Sequence, residues 1–129
     1  MKKENNLDAL NEITEKIIGC AIEVHKELGP GLLESSYERA LCFELDTNGI
    51  GFEKQKKVPV LYKTISVGDY KLDLLVENEI IVELKAVDRF DKMFEAQLLA
   101  YLKLTRKKIG LLINFNALTL KDGIRRIIN

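Results

Sequence analysis

Between Phe52 and Lys85 the residues Val58, Val60, Ile65, Val67, Leu72, Leu74, Val76, Ile80, Val82 and Leu84 are β-favouring or aliphatic, and most are separated by polar residues. A period of two commits the middle of the chain to strands with one buried face. The spacing predicts an antiparallel meander at about Glu53–Tyr62, Val67–Val76 and Glu79–Ala86. On either side the period is helical. Ile13, Ile17, Cys20, Ala21, Val24 and Leu28 line one face of a helix from about Asn11, which Gly29 and Pro30 stop. Tyr37, Leu41 and Leu45 mark a second helix, about Leu33–Asn48, beyond a tight Gly29-Pro30-Gly31 corner. Helical spacing returns over Asp91–Arg106, and Ile109-Gly110-Leu111-Leu112-Ile113 suits a strand covered on both faces. Strand, helix, strand predicts a right-handed crossover. The tail, Leu118 to Ile128, carries Asp122-Gly123 between two β-like pieces and predicts a short C-terminal β hairpin. The expected fold is α/β, ordered ααβββαβ, with a mixed sheet flanked by helices. Residues 11–129 are expected to form a single domain behind an N-terminal extension of residues 1–10.

Twenty Lys and Arg balance twenty Asp and Glu, so no global field draws nucleic acid or an anionic membrane to this chain. Binding of that kind must be local. Lys54-Gln55-Lys56-Lys57, Arg106-Lys107-Lys108 and Arg125-Arg126 could line a phosphate track, and equally suit the ordinary basic surface of strands and helix ends. No apolar run approaches the ~20 residues that span a bilayer, and the N-terminus leads into an amphipathic segment, so a cytoplasmic protein is expected. Cys20 and Cys42 lie in helical patterns without CxxC spacing, which points to reduced core thiols.

The chemistry concentrates in the second and third predicted strands. A three-residue turn, Glu77-Asn78-Glu79, with Asn78 left-handed, places Asp73 opposite Glu83. A two-residue turn would separate them but offers no better turn chemistry. In the favoured register Leu72, Leu74, Val76, Ile80, Val82 and Leu84 form the core face; Lys71, Asp73, Leu75, Ile81, Glu83 and Lys85 form the other. Opposed carboxylates with Cβ atoms roughly 4.5–5.5 Å apart repel unless something positive lies between them. Magnesium, a hard ion that takes one or two carboxylates and keeps sites for water and phosphate, would serve. Lys85, one pleat beyond Glu83, is placed to hold a water or steady charge on a phosphate oxygen. The plainer alternative is an exposed ladder in which Lys85 and Lys71 pair with the two acids. Gln97 and Tyr101, four apart on one helix face, and Glu34, in the first turn of the second helix, could reach the same patch.

These residues resemble the PD-(D/E)XK nuclease superfamily, whose αβββαβ core carries an acid on its second strand and E-x-K on its third. Asp73 and Glu83-Leu84-Lys85 match, Leu72 stands where the superfamily's name has proline, and Gln97-Leu98-Leu99-Ala100-Tyr101 resembles the Q-x-x-x-Y helix motif of one large subgroup. More narrowly, Gly31-Leu32-Leu33-Glu34-Ser35-Ser36-Tyr37 is similar to the signature of the small bacterial and archaeal GxxExxY proteins. The resemblance implies a magnesium-dependent nuclease hydrolysing phosphodiester bonds, with Mn2+ as a substitute ion. It implies that Asp73, Glu83, the Leu84 carbonyl and Glu34 serve the metal. Lys85 would assist the nucleophilic water, and Gln97 and Tyr101 would contact the metal site or the nucleic-acid backbone.

Nucleic acid, DNA ahead of RNA, is the expected partner, and the small size leaves room for a homodimer or a protein partner to supply specificity. One alternative is a non-catalytic module that keeps the nuclease fold to bind nucleic acid or protein. Another is a metal-free acid–base hydrolase using Asp73 and Glu83, which Lys85 and the absence of Trp count against. His25 is expected in the core or at a helix edge, with a contact to substrate phosphate near the corner as the second reading. Tyr37 is expected in the core, at the head of the Tyr37, Leu41, Leu45 stripe.

Overall fold

A computed structural model describes the backbone of residues 2–129 and the side chains of residues 7–129. The elements run α1 (Lys2–Leu28), α2 (Glu34–Thr47), β1 (Phe52–Tyr62), β2 (Ile65–Val76), β3 (Ile80–Lys85), α3 (Lys92–Thr105), β4 (Ile109–Asn114), a short 3-10 helix (Leu120–Gly123) and β5 (Ile124–Ile128). The strands form one mixed sheet in the order β1-β2-β3-β4-β5, antiparallel except for the β3–β4 pair, which α3 connects. This is the α/β architecture that the alternating and helical periods imply. α1 starts at Lys2 and takes in the segment set apart as an extension, and Leu10 from that segment is buried in the core. No helix among the described residues is long and apolar enough to cross a membrane.

The sheet is covered on both sides. α1 and α2 pack Ile17, Val24, Tyr37, Leu41 and Leu45 on Leu74, Val76, Ile80, Val82 and Leu84. On the other side α3 packs Leu98, Tyr101 and Leu102 on Leu72, Leu75, Ile81 and Leu112. Gly110 permits this second contact, because a Cβ there would meet the Leu98 side chain at 2.8 Å. Two expectations change as a result. Leu75 and Ile81, assigned with the charges, are core residues under α3. Leu72 faces α3 rather than joining Leu74, because the alternation breaks at Asp73.

The predicted turn is present: Glu77 and Asn78 both have positive φ, 52° and 57°, and the Glu79 N–H donates to Val76 O at 2.9 Å. It gives the register Val76↔Ile80, Leu75↔Ile81, Leu74↔Val82. The C-terminal hairpin also exists, but its two strands are β4 and β5. Leu118-Thr119-Leu120 is not a strand, and Asp122-Gly123 closes the 3-10 turn between them.

Candidate active site at the splayed end of the β2–β3 pair

One step beyond Leu74↔Val82 the β2–β3 ladder stops, and the next two residues facing each other are Asp73 and Glu83. Their carboxylates take over the backbone pairing. The Asp73 N–H donates to Glu83 Oε2 at 2.9 Å, and the Leu84 N–H donates to Asp73 Oδ2 at 2.8 Å. Across the sheet the β1–β2 ladder skips Gln55 opposite Asp73, since a residue at φ 52° cannot hold the extended conformation of a strand. Asp73 is thus released from regular pairing on both sides. Its neighbours Leu72 and Leu74 turn to opposite faces, and Asp73 itself is half-buried.

Glu83 is only 5% exposed. Burial, then the charge of Asp73, pushes its carboxyl up to about 8, against the opposing pull of the Asp73 N–H and Lys85. Glu34, the first residue of α2, lies close enough to be raised in turn by partial desolvation and by Asp73, with Lys85 pulling the other way. The phenol of Tyr101, 7% exposed on α3, is raised by burial, then by Glu83, Asp73 and Tyr70. These mutual effects bring Asp73, Glu83, Glu34, Lys85 and Tyr101 into one electrostatic neighbourhood. Gln97 lies one turn before Tyr101, exposed, and makes no side-chain hydrogen bond among the described residues. Leu84 offers only its backbone to the site, as its side chain is in the core.

Among the described residues Lys85 makes no salt bridge with an acid. Its Nζ sits 4.4 Å from the centroid of the Phe94 ring. Lys71 faces Lys57 across the β1–β2 ladder, and the only salt bridge among the described residues is Lys56–Glu53 at 2.7 Å. The exposed ladder of acids and lysines is therefore not formed. The backbone of Lys85 is fixed: its carbonyl accepts from Phe115 N–H at 2.9 Å, and buried Asn114 beside it bonds both the N–H and the carbonyl of Val87. Sequence pattern alone gives Asn114 and Phe115 no role in the site. Their signal is the abrupt polar end of the Ile109–Ile113 run. Gln55 was missed as well; its Nε2 reaches Glu38 Oε1 at 2.8 Å and Asp73 Oδ1 at 3.5 Å, tying α2 to the site.

The corner before α2 explains the spacing of Gly31, Glu34 and Tyr37. Gly29 and Gly31, at φ 67° and 103°, make the turn. Tyr37, fully buried and stacked on Phe115 at 4.6 Å, leans back toward the helix start. Its hydroxyl donates to Gly29 O at 2.5 Å and accepts from Leu32 N–H at 3.1 Å, so Glu34 leaves a pinned corner. Tyr37→Phe keeps the stack but strands both backbone groups. Urea unfolding should register a loss of about 1–3 kcal/mol, and an unchanged midpoint would show that the hydroxyl does not hold the corner. His25 belongs to the same knot. Its Nε2 lies 2.8 Å from Ala117 O, and since a carbonyl only accepts, that nitrogen carries the proton. This is the helix-edge role.

A family model described as the PD-(D/E)XK nuclease superfamily matches residues 11–127. The chain belongs to this superfamily. No curated protein and no solved structure matches it. PD-(D/E)XK nucleases are typically metal-dependent phosphodiesterases and generally use divalent ions such as Mg2+. The site suits that chemistry: Asp73 and Glu83 are hard oxygen donors in no salt bridge among the described residues, and each engages a backbone N–H with one oxygen, the second oxygen of Asp73 carrying only the long 3.5 Å contact from Gln55 Nε2. Among the described residues no three His, Cys, Asp or Glu side chains are grouped tightly enough to hold a metal ion, so Glu34 stands outside the Asp73–Glu83 pair.

Proposed function

We propose that the protein is a magnesium-dependent nuclease of the GxxExxY type, hydrolysing phosphodiester bonds of nucleic acid, DNA ahead of RNA, in the cytoplasm. The observation that carries this reading is the interlocked Asp73–Glu83 pair, two acids fixed face to face by backbone N–H groups, with Lys85 offsetting them only in part and no salt bridge to either among the described residues. Such an arrangement costs stability by itself and becomes favourable when positive charge enters. Asp73, Glu83 and the Leu84 carbonyl would hold the ion, with Glu34 completing the negative shell through intervening water. When bound, magnesium would lower the pKa of a water and screen charge on a phosphate oxygen. Lys85, steadied on Phe94, would orient the attacking water and present its ammonium to the phosphate. Tyr101, held beside Glu83, and the exposed Gln97 would contact the site and the nucleic-acid backbone.

Titration with Mn2+ by calorimetry tests the site. Binding is expected in the wild type and lost in Glu83→Gln. Because the Glu83 carboxyl is held up to about 8, ion binding near neutrality must expel a proton. Affinity should therefore rise from about pH 6 to about pH 8, and the measured heat should change with the ionisation enthalpy of the buffer. Unaltered Mn2+ binding by Glu83→Gln would remove the proposed site. Tight nucleic-acid binding without turnover in any divalent ion would establish the non-catalytic module instead.

A further inference from the structure

β1 and β2 continue as a two-stranded ribbon well past the rest of the sheet. β3 pairs with β2 only over Leu74–Val76, so the edge of β2 from Ile65 to Leu72 that faces away from β1 is unpaired among the described residues. This open edge runs into Asp73. Its flanks differ in chemistry. Lys71 lies directly opposite Lys57, both exposed and neither in a salt bridge among the described residues. Like charges directly opposed weaken a strand pair, so a ligand of opposite charge is what would relieve them. Tyr70, the preceding residue, points to the other side of the ribbon. It lies on the α3 side, 46% exposed, with its ring centroid 6.2 Å from that of Tyr101 at an interplanar angle of 50°. Strand geometry puts Tyr70 roughly 10 Å from Asp73.

We infer that the open edge of β2 guides a single strand of nucleic acid into the site, with Lys57 and Lys71 taking a backbone phosphate on one side and Tyr70 stacking a base on the other. A nucleotide carries an anion and an aromatic face at opposite ends, and a strand laid along this edge presents one to each flank. Bases within a duplex are already stacked and leave no face for Tyr70. The inference rests on the nuclease reading for its direction toward Asp73, but it is tested by binding alone. The rival occupant of an open edge is another protein strand, which the exposed Ile65 and Val67 would suit; nearer the site, the Lys71 and Asp69 side chains and the bulge between Val60 and Leu61 discourage it.

The experiment is fluorescence anisotropy in EDTA with one labelled oligonucleotide, presented single-stranded and as a duplex. The single strand should bind more tightly. Tyr70→Ala should weaken its binding roughly five- to 150-fold, with Tyr70→Phe retaining wild-type affinity. Lys57→Gln/Lys71→Gln should flatten the slope of log affinity against log salt by about 0.7–1.4. Lys71→Glu should weaken binding while leaving the melting temperature equal or higher, since an opposed ion pair replaces two like charges; a merely structural lysine would move both together. These results support the inference even in a protein that cleaves nothing. It is overturned if the duplex binds as well as the single strand, if Tyr70→Ala binds normally, or if no oligonucleotide binds.

Discussion

Lys85→Met is expected to reduce cleavage of nucleic acid in Mg2+ or Mn2+ by at least about a hundredfold while leaving the fold intact. The stability side follows from where the lysine sits. Its ammonium lies over Phe94 rather than in an ion pair, a contact worth about 0.5–1 kcal/mol at exposed sites. Methionine replaces part of it with a sulfur–ring contact. The backbone bond from Phe115 N–H to the Lys85 carbonyl is untouched. The catalytic side follows from when the charge matters: a positioned cation contributes most as negative charge develops on the phosphate, so rate falls much further than substrate affinity. Above about pH 8, where Glu83 is ionised, Mn2+ affinity should be equal or slightly higher, because a neighbouring positive charge has gone. Lys85→Arg should rescue poorly, since a planar guanidinium does not replace a compact ammonium in a confined site. Wild-type cleavage by Lys85→Met would make this lysine a surface group and refute its role in the mechanism.

Much of this arrangement is legible in the sequence because period and turn chemistry act locally. Alternation over Phe52–Lys85 marks the strands, and the Glu77-Asn78-Glu79 turn sets the register that puts Asp73 opposite Glu83. What escapes is backbone irregularity inside a strand. Gln55 looks like any polar strand residue, yet its positive φ breaks the ladder at Asp73, and Leu72 lies under α3 as the alternation fails there. A one-residue kink leaves the composition of the strand unchanged, so an alternating pattern cannot report it. The second buried face was readable in part. Ile80-Ile81-Val82 is a continuous apolar run, the mark of a strand covered on both sides, but the charges at Asp73, Glu83 and Lys85 drew that face toward solvent in the sequence reading. Contacts between distant segments were not legible at all. Nothing in the sequence says that Tyr37 stacks on Phe115, or that Asn114 bonds Val87, because those pairings exist only once the sheet brings the strand ends together.

The metal-free protein should lose stability as pH rises from about 4.5 to about 8, and Glu83→Gln should lose much less. In the unfolded chain Glu83 ionises near its ordinary value of 4.5, whereas in the fold burial and Asp73 hold its proton up to about 8. Between those values the native state binds the proton and the unfolded state does not. Unfolding then releases a proton, and stability falls with pH at up to about 1.4 kcal/mol per unit, levelling off above the folded value. Across the window this amounts to roughly 3–5 kcal/mol, or about 3–5 °C of melting temperature for each kcal/mol in a domain of this size. Glu34, also raised, acts in the same direction. A glutamine at position 83 keeps an oxygen for the Asp73 N–H and brings no charge. The difference in melting temperature between Glu83→Gln and the wild type should therefore widen steadily toward pH 8. Saturating Mn2+ should narrow that difference by stabilising only the wild type. A gap that stays constant with pH would mean that Glu83 is ionised throughout, with its charge already neutralised by something other than a bound cation.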